Sequence, residues 1–454
     1  MQKNQLMLAF YGDDFTGSTD AMEALAMNGY RTILFLKPPS PELLGRFEEI
    51  RCIGVAGTSR AKNPEEMEKE LQPIMAELFN SGAPIVHYKT CSTFDSSPDI
   101  GSIGKAIQVA RRFNGGQKTI PLLVGAPALG RFTLFGNHFA RMGADVYRLD
   151  RHPIMSKHPI TPMAEADLRL HLGKQLDEPI GLMNILELEG DYSGVQKRYA
   201  EKLEEQSSVI LFDVLDEERL EKSGRLLWES AAAEPQFVVG SSGVEYALTA
   251  HWKQTGLPRE AGRKTKHVQA VDTLLAVSGS ASSVSQKQIE RAIEQGFYGV
   301  KIPVELLVGS ETLPHGFLEE PIRRLKSGQS VVLYSALGPD DKAIGETRKH
   351  FNEKGMADTD SGAFIGRQLG RWTKHIMHEA GIRRVVIAGG DTSGFVTSEM
   401  DVYGLEVLLS VSPGAPLCMV YSENPEMEGV ELALKGGQFG GVDYFTDVRD
   451  AKSS

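Results

Sequence analysis

Short apolar runs alternate with helically spaced segments along most of this 454-residue chain, and that alternation limits the fold more than any other feature. Residues 31–36, 52–56, 84–88, 121–124 and 208–212 read as strands. The same plan returns at 273–277, 330–334 and 384–388. Between two of these runs, residues 64–79 carry apolar positions at helical spacing behind an Asn63 cap, with Pro64 in the first turn. Strands that alternate with helices build a mainly parallel sheet flanked by helices, because a parallel crossover needs a covering element. The chain is too long for one core. Residues 256–266 are polar, hold Gly and Pro and lack periodicity, so a boundary falls there. The expectation is two α/β domains, 1–258 and 272–454, joined by a linker over 259–271. The less regular stretch 132–162 reads as an insertion or hairpin near a site, and 442–445 as a final strand.

Composition narrows the function classes. Hydrophobic residues make up 41% and charged residues 24%, as in an ordinary globular protein. Net charge is −11 with no block of Lys and Arg, which argues against nucleic acid or an anionic membrane as the main partner. Cys52, Cys91 and Cys418 lie far apart and show neither zinc spacing nor a disulfide framework. No basic segment followed by a long apolar one opens the chain, and no apolar run is long enough to span a bilayer. A cytoplasmic location is expected, and a homodimer is compatible with the sequence.

The chemistry concentrates at strand ends. The first apolar run stops on Gly12-Asp13-Asp14-Phe15-Thr16-Gly17-Ser18, just before a helical segment. Loops at the carboxyl edge of an α/β sheet are where ligands bind. Asp14 or Thr16 could serve simply as a helix cap, but one cap needs one such residue, and adjacent carboxylates repel unless a cation or a substrate hydroxyl sits between them. Arg60 follows another strand in Gly57-Thr58-Ser59-Arg60. Lys89 heads Lys89-Thr90-Cys91-Ser92-Thr93-Phe94-Asp95 after a third. A planar guanidinium suits a carboxylate, although single Arg and Lys residues are more often just solvated. Residues 151–162 gather cations, histidines and prolines in one loop, as a site wall or a plain structural loop would.

The second half carries three glycine-rich turns after strands: Ser278-Gly279-Ser280, Gly389-Gly390-Asp391-Thr392 and Lys435-Gly436-Gly437-Gln438-Phe439-Gly440. Glycine lets backbone approach a ligand closely, and amides at helix starts bind phosphate oxygens. Three such turns in one domain favour a nucleotide site. Residues 335–341 form a fourth loop with exposed acids, as readily a turn and cap as a site. Standard signatures fail. Gly101-Ser102-Ile103-Gly104-Lys105-Ala106 has Asp99 where a P-loop needs its first glycine and Ala106 where it needs Ser or Thr. No G-x-G-x-x-G follows a strand and no protein-kinase set is present. His375 and His378 share a helical face but are too few for a metal site.

Taken together, these motifs resemble the four-carbon acid sugar kinase family over nearly the whole chain. The matching pieces are Asp13-Asp14-Phe15-Thr16-Gly17, Lys89 to Thr93, His158-Pro159-Ile160-Thr161-Pro162-Met163 and the three glycine turns. The resemblance implies a sugar-acid-binding N-terminal domain, an ATP-binding C-terminal domain and an active site in the cleft between them. It implies an ATP-dependent kinase that phosphorylates the terminal hydroxyl of a small acid. The run Cys91-Ser92-Thr93-Phe94-Asp95-Ser96 looks more like 3-oxo-tetronate kinases than threonate kinases. Residues 97–104 and 148–152 depart from the oxo-tetronate pattern, which makes a branched relative such as 3-oxo-isoapionate a candidate. A D-threonate or D-erythronate kinase is the alternative.

Under this reading Asp13 orients or deprotonates the attacking hydroxyl, with Asp14 as runner-up. Arg60 and Lys89 face the substrate carboxylate and Ser92 and Thr93 its hydroxyls, and Cys91, His158 and Thr161 complete the sugar-acid site. Ser278, Ser280, Gly389, Gly390, Asp391, Thr392, Gly436 and Gly437 hold ATP. Mg²⁺ is expected as charge neutraliser, with ligands that the sequence leaves unknown. Two rivals stand beside this reading. An aspartyl phosphatase needs two Asp separated by one residue, and here they are adjacent. A non-catalytic sugar-acid sensor would not need three glycine turns in a second domain.

Overall fold

The computed structural model describes residues 6–158, 161–257, 268–309, 312–356 and 358–453, except the side chains at 358–360 and 391. The chain divides into two compact units, Met1–Ala261 and Gly262–Ser454. Most of the connector expected over 259–271 lies outside the described residues.

The first unit contains strands β1 (Leu8–Gly12), β2 (Thr32–Phe35), β3 (Cys52–Ala56), β4 (Ile85–Lys89), β5 (Ile120–Leu123), β6 (Arg131–Leu134), β7 (Asn137–Met142), β8 (Asp145–Arg148), β9 (Ile180–Met183), β10 (Val209–Phe212) and β11 (Gln236–Gly240). Eight of them form a parallel sheet in the order β2-β3-β1-β4-β11-β5-β10-β9. Nearly every side chain of these short strands is buried, as expected when helices cover a parallel sheet. Strands β6, β7 and β8 make a separate antiparallel sheet, so the irregular stretch after residue 131 is a hairpin extended by one strand. The helix Phe15–Met27 lies against the helix Gly243–Gln254, where Tyr30 and Trp228 meet Trp252 edge-on at 4.9 and 5.2 Å. Helix Pro64–Asn80 starts with a capping box between Asn63 and Glu66.

Strand register positions the chemistry. Gly12 pairs with Ala56 on one side and with Lys89 on the other, and Lys89 pairs with Gly240. Asp13, the Gly57–Arg60 loop and Thr90 therefore leave the sheet at one level of one edge. Asp13 N–H donates to the Lys89 carbonyl at 2.9 Å, and Arg60 N–H to the Asp13 carbonyl at 3.0 Å.

The second unit contains β12 (Leu275–Ser278), β13 (Tyr298–Lys301), β14 (Val331–Tyr334), β15 (Arg384–Ala388), β16 (Val402–Ser412), β17 (Ala415–Ser422) and β18 (Glu431–Lys435). Their order is β13-β14-β12-β15-β18-β17-β16, parallel from β13 to β18 and antiparallel through β17 and β16. The core joins Ala276, Ile289, Val332, Val386 and Ala433 to Tyr444, Phe445 and Val448. These last three correct the expected strand over 442–445: the segment is the helix Tyr444–Asp450, and the final strand is β18. A segment as short as Val442-Asp443-Tyr444-Phe445 fits either element, and only packing against the sheet decides.

Candidate active site and nucleotide cradle

In the first unit, strand-end loops bring Asp13, Asp14, Arg60 and Lys89 together. Asp14 does two jobs. One oxygen caps the helix Phe15–Met27 by accepting the Gly17 N–H at 2.8 Å, and the other pairs with Arg60 Nη1 at 2.8 Å. The capping reading was therefore sound for Asp14 and incomplete. A Cβ on Gly17 would overlap both Lys89 Nζ and the Asp14 carboxylate, so any larger residue there would displace them. Lys89 is buried 3.8 Å from Asp20, a carboxylate one and a half turns along the same helix. Burial pulls the Lys89 ammonium down, but Asp20, Asp14 and Asp13 outweigh it and leave it above its usual value.

Asp13 is different. It is 2% exposed. Thr90 Oγ1 donates to its Oδ2 at 3.1 Å, while Oδ1 is buried without a partner. Burial first, and then the neighbouring Asp14, push this carboxyl up to about 7, against the opposing pull of Arg60 and Lys89. A buried acceptor without a donor is costly and calls for a ligand or water in the finished site.

The loop after β4 is internally tied. Cys91 Sγ lies 3.1 Å from Thr93 Oγ1, and Thr93 Oγ1 donates to Asp95 at 2.8 Å. Burial pushes the Cys91 thiol up to about 12, so it stays protonated and is no nucleophile. Phe94 holds a left-handed backbone at φ 58°, a conformation that costs a non-glycine residue energy. Ser92 offers its carbonyl to His138 Nε2 at 2.9 Å, which fastens β7 to this loop. His158 and Thr161 are joined locally, with His158 Nδ1 3.1 Å from the Thr161 nitrogen and 3.0 Å from its hydroxyl. No described contact links this pair to Asp13.

Sequence reasoning gave no role to Asp20, which faces Lys89, to Thr90, which bonds Asp13, or to a fully buried pair, His87 Nδ1 to Glu245 at 2.7 Å. Asp20 and Glu245 each stand on a largely buried helix, a signal that could have found them.

In the second unit the three glycine turns converge. Gly279 N–H donates to the Ala388 carbonyl at 3.0 Å, and Gly389 N–H to the Lys435 carbonyl at 2.9 Å. A Cβ on Gly279 would overlap Thr392, and one on Gly437 would lie 2.7 Å from Ser280 Oγ. Gly389 has φ 130°, outside the range side chains favour. Ser282 caps the helix Ser283–Glu294 and also donates to the Gly437 carbonyl. Gln288 Nε2 reaches the carbonyls of Phe439, Gly440 and Gly441 at 3.0, 3.0 and 2.9 Å. Lys435 Nζ is wholly buried, 3.2 Å from Ser285 Oγ, and burial lowers it to about 7. Ser278 Oγ accepts the Ser280 N–H at 3.4 Å. The Asp391 side chain lies outside the described residues.

Beside these turns is a cavity of about 250 Å³, lined by Gly279, Ala281, Leu307, Ala336, Ile344 and Thr347 among others. Asp341, in the fourth loop, is spent on the fold. Burial opposes its charge, but the Leu337 and Ala343 amides and Lys301 hold it down at about 2. Among the described residues no group of three or more His, Cys, Asp or Glu could hold a metal ion. No helix among them is long and apolar enough to cross a membrane.

The model of a sugar-binding N-terminal domain matches residues 8–248, and that of a nucleotide-binding C-terminal domain matches 275–445. The 3-oxo-isoapionate kinase of Paraburkholderia graminis is 44% identical over 98% of this chain and 95% of its own length. The 3-oxo-tetronate kinase of Pseudomonas savastanoi pv. phaseolicola is 28% identical over 97% and 96%. A solved structure from Salmonella typhimurium LT2 shares the fold at TM-score 0.77 and 24% identity, covering 99% of this chain and all of that one. One from Haemophilus influenzae does so at 0.71 and 22%, covering 97% and 99%.

Proposed function

The chain belongs to the four-carbon acid sugar kinase family, in which a sugar-binding N-terminal domain precedes a nucleotide-binding C-terminal domain, and on that premise we propose that it transfers the γ-phosphoryl group of ATP to the terminal hydroxyl of a short 3-oxo sugar acid. The branched 3-oxo-isoapionate class ranks ahead of the linear 3-oxo-tetronates, because the relative named for it is 44% identical against 28%.

One observation carries the chemistry: the buried, unpartnered Oδ1 of Asp13. Phosphoryl transfer asks the protein for an oriented nucleophile and for charge neutralisation more than for covalent help. A substrate hydroxyl seated on Oδ1 is oriented there and gives up its proton there as the new P–O bond forms. A carboxyl lifted to about 7 is matched to that task in neutral solution. Asp14 is held by Gly17 and Arg60, so it serves as a fixed charge beside the base. Lys89, Arg60, Cys91, Ser92, Thr93, His158 and Thr161 are assigned to the walls of the acid site.

The phosphates of ATP are assigned to the turns at Ser278, Ser280, Gly389, Gly390, Asp391, Thr392, Gly436 and Gly437. The neighbouring cavity, apolar at Leu307, Ala336 and Ile344, is assigned to the base. Mg²⁺, which neutralises phosphate charge when bound, would take phosphate and water as its main ligands, since the described side chains make no cage for it. The deciding experiment is ADP release from ATP with threonate, erythronate, 3-oxo-tetronates and branched five-carbon acids in turn. Acid-dependent ADP release is the expected result. An acid that binds tightly while no acid triggers release would make the chain a sensor and overturn the proposal.

A further inference from the structure

Two cations of the first unit are already committed: Arg60 to Asp14 and Lys89 to Asp20. Arg131 is not. It opens β6, and its Nη1 is fixed by three carbonyls, those of Leu129 at 3.0 Å, Gly130 at 3.4 Å and Arg141 at 3.4 Å. Its Nε is buried and has no partner. Among the described residues no carboxylate lies within ion-pair distance of it. A guanidinium clamped at one nitrogen, with a desolvated N–H left over, is a fork waiting for an acceptor, because leaving a charged donor unmet costs more than leaving a neutral one.

Its position suits the acid site. Strand β6 is tied to the Cys91–Asp95 loop through Thr133 and His138: Thr133 Oγ1 lies 3.0 Å from His138 Nδ1, and His138 Nε2 lies 2.9 Å from the Ser92 carbonyl. Burial pulls the Arg131 guanidinium below its usual value, and Cys91, Asp20 and Asp95 are close enough to oppose that pull. Burial, helped by Arg131, pulls His138 down to about 4, so that imidazole is neutral and adds no competing cation. The acids that act on Arg131 are otherwise engaged: Asp20 with Lys89, and Asp95 as acceptor of the Thr93 hydroxyl.

We infer that Arg131, rather than Arg60 or Lys89, is the anchor for the carboxylate of the sugar acid, offering its Nε edge to that group. The inference rests on the sugar-acid reading of the first unit. It makes Arg131 the residue that separates acids from the uncharged sugars of the same length.

The test is binding without nucleotide, so that it stands apart from turnover. Calorimetry would compare threonate and erythronate with their primary amides on the full chain and on Arg131→Gln, Arg131→Lys and Arg60→Gln. The chain should prefer acid to amide by about ten- to a hundredfold, the scale of one charge-assisted hydrogen bond. Arg131→Gln should erase that preference, Arg131→Lys should keep part of it, and Arg60→Gln should leave most of it. A merely structural Arg131 would weaken acid and amide alike and leave their ratio untouched, and that result overturns the inference. So does loss of the preference in Arg60→Gln alone, or equal binding of acid and amide by the unaltered chain. If Arg131→Gln does not fold, the ratio in Arg131→Lys decides. Absence of ADP release alongside the expected ratios would refute the kinase reading and leave the anchor standing.

Discussion

Thr90 and Asp13, at the ends of two neighbouring parallel strands, share a hydrogen bond of 3.1 Å that satisfies one carboxylate oxygen and leaves the other buried and open. The proposed chemistry of the first unit turns on that asymmetry.

Asp13→Asn keeps the shape and removes the proposed base. The expected outcome is a fall in kcat of about 10²–10⁴-fold with a small change in KM and unchanged ADP affinity. Steady-state kinetics together with nucleotide calorimetry check it. Equal loss in Asp14→Asn with full activity in Asp13→Asn would exchange the two roles.

The pH profile follows from the same residue. Asp13 must be ionised to accept a proton, so kcat/KM should rise through about pH 7. Arg60 helps to hold that value down. Arg60→Gln should therefore move the acidic limb to higher pH. A limb that stays in place would show that another group sets it.

Stability should run the opposite way. The folded carboxyl titrates near 7 and the unfolded one near the usual 3.8, so the folded state holds the extra proton between them. The contribution of Asp13 is fully present below about pH 4 and is lost as pH rises through 7. Asp13→Asn should melt higher than the parent at pH 8, with a much smaller difference at pH 4. Thermal melting across that range measures it, and equal melting temperatures at pH 8 would count against a strained, desolvated Asp13.

In the second unit, Gly437→Val would drive a side chain into Ser280 and Ser282. ATP and ADP binding should fall by tenfold or more (about 1.4 kcal/mol) while sugar-acid binding survives. Retained nucleotide affinity in a folded variant would remove the third turn from the cradle.

Lys435 is lowered to about 7 by burial alone, against 10.5 when free. Between these values the unfolded chain holds more protons, so stability should climb as pH rises from 7 towards 10.5. Lys435→Met should flatten that climb. It should also weaken ATP more than adenosine if the ammonium serves phosphate charge. Equal weakening of both would make Lys435 a packing residue only.

Much of the architecture was legible because parallel strands under helices leave unmistakable runs such as Ile85–Lys89 and Arg384–Ala388. The loops that carry the candidate site were visible for the same reason: each begins where a run stops. Partnership was not visible. Arg60 and Lys89 looked like free cations, and only folding pairs them with Asp14 and Asp20. Gln288 organises carbonyls some 150 residues away, and nothing local to Gln288 announces that. Arg131 stood one residue before a stretch set aside as irregular. Strand β11 escaped notice, although it lies between β4 and β5, because spatial order need not follow chain order. The segment 442–445 failed on length alone.

The shared level at which Gly12, Ala56 and Lys89 meet behaves like a reading frame in three dimensions. Insert one residue inside Leu8–Gly12 and Asp13 turns to the opposite face, carrying the proposed base away from Thr90 while the sheet still forms. Insert several after Asp95 and nothing upstream shifts. Evolution of new acid preferences is thus free to rewrite the segments beyond Thr90 and around Arg131, whereas the strand ends behind them can change only in concert.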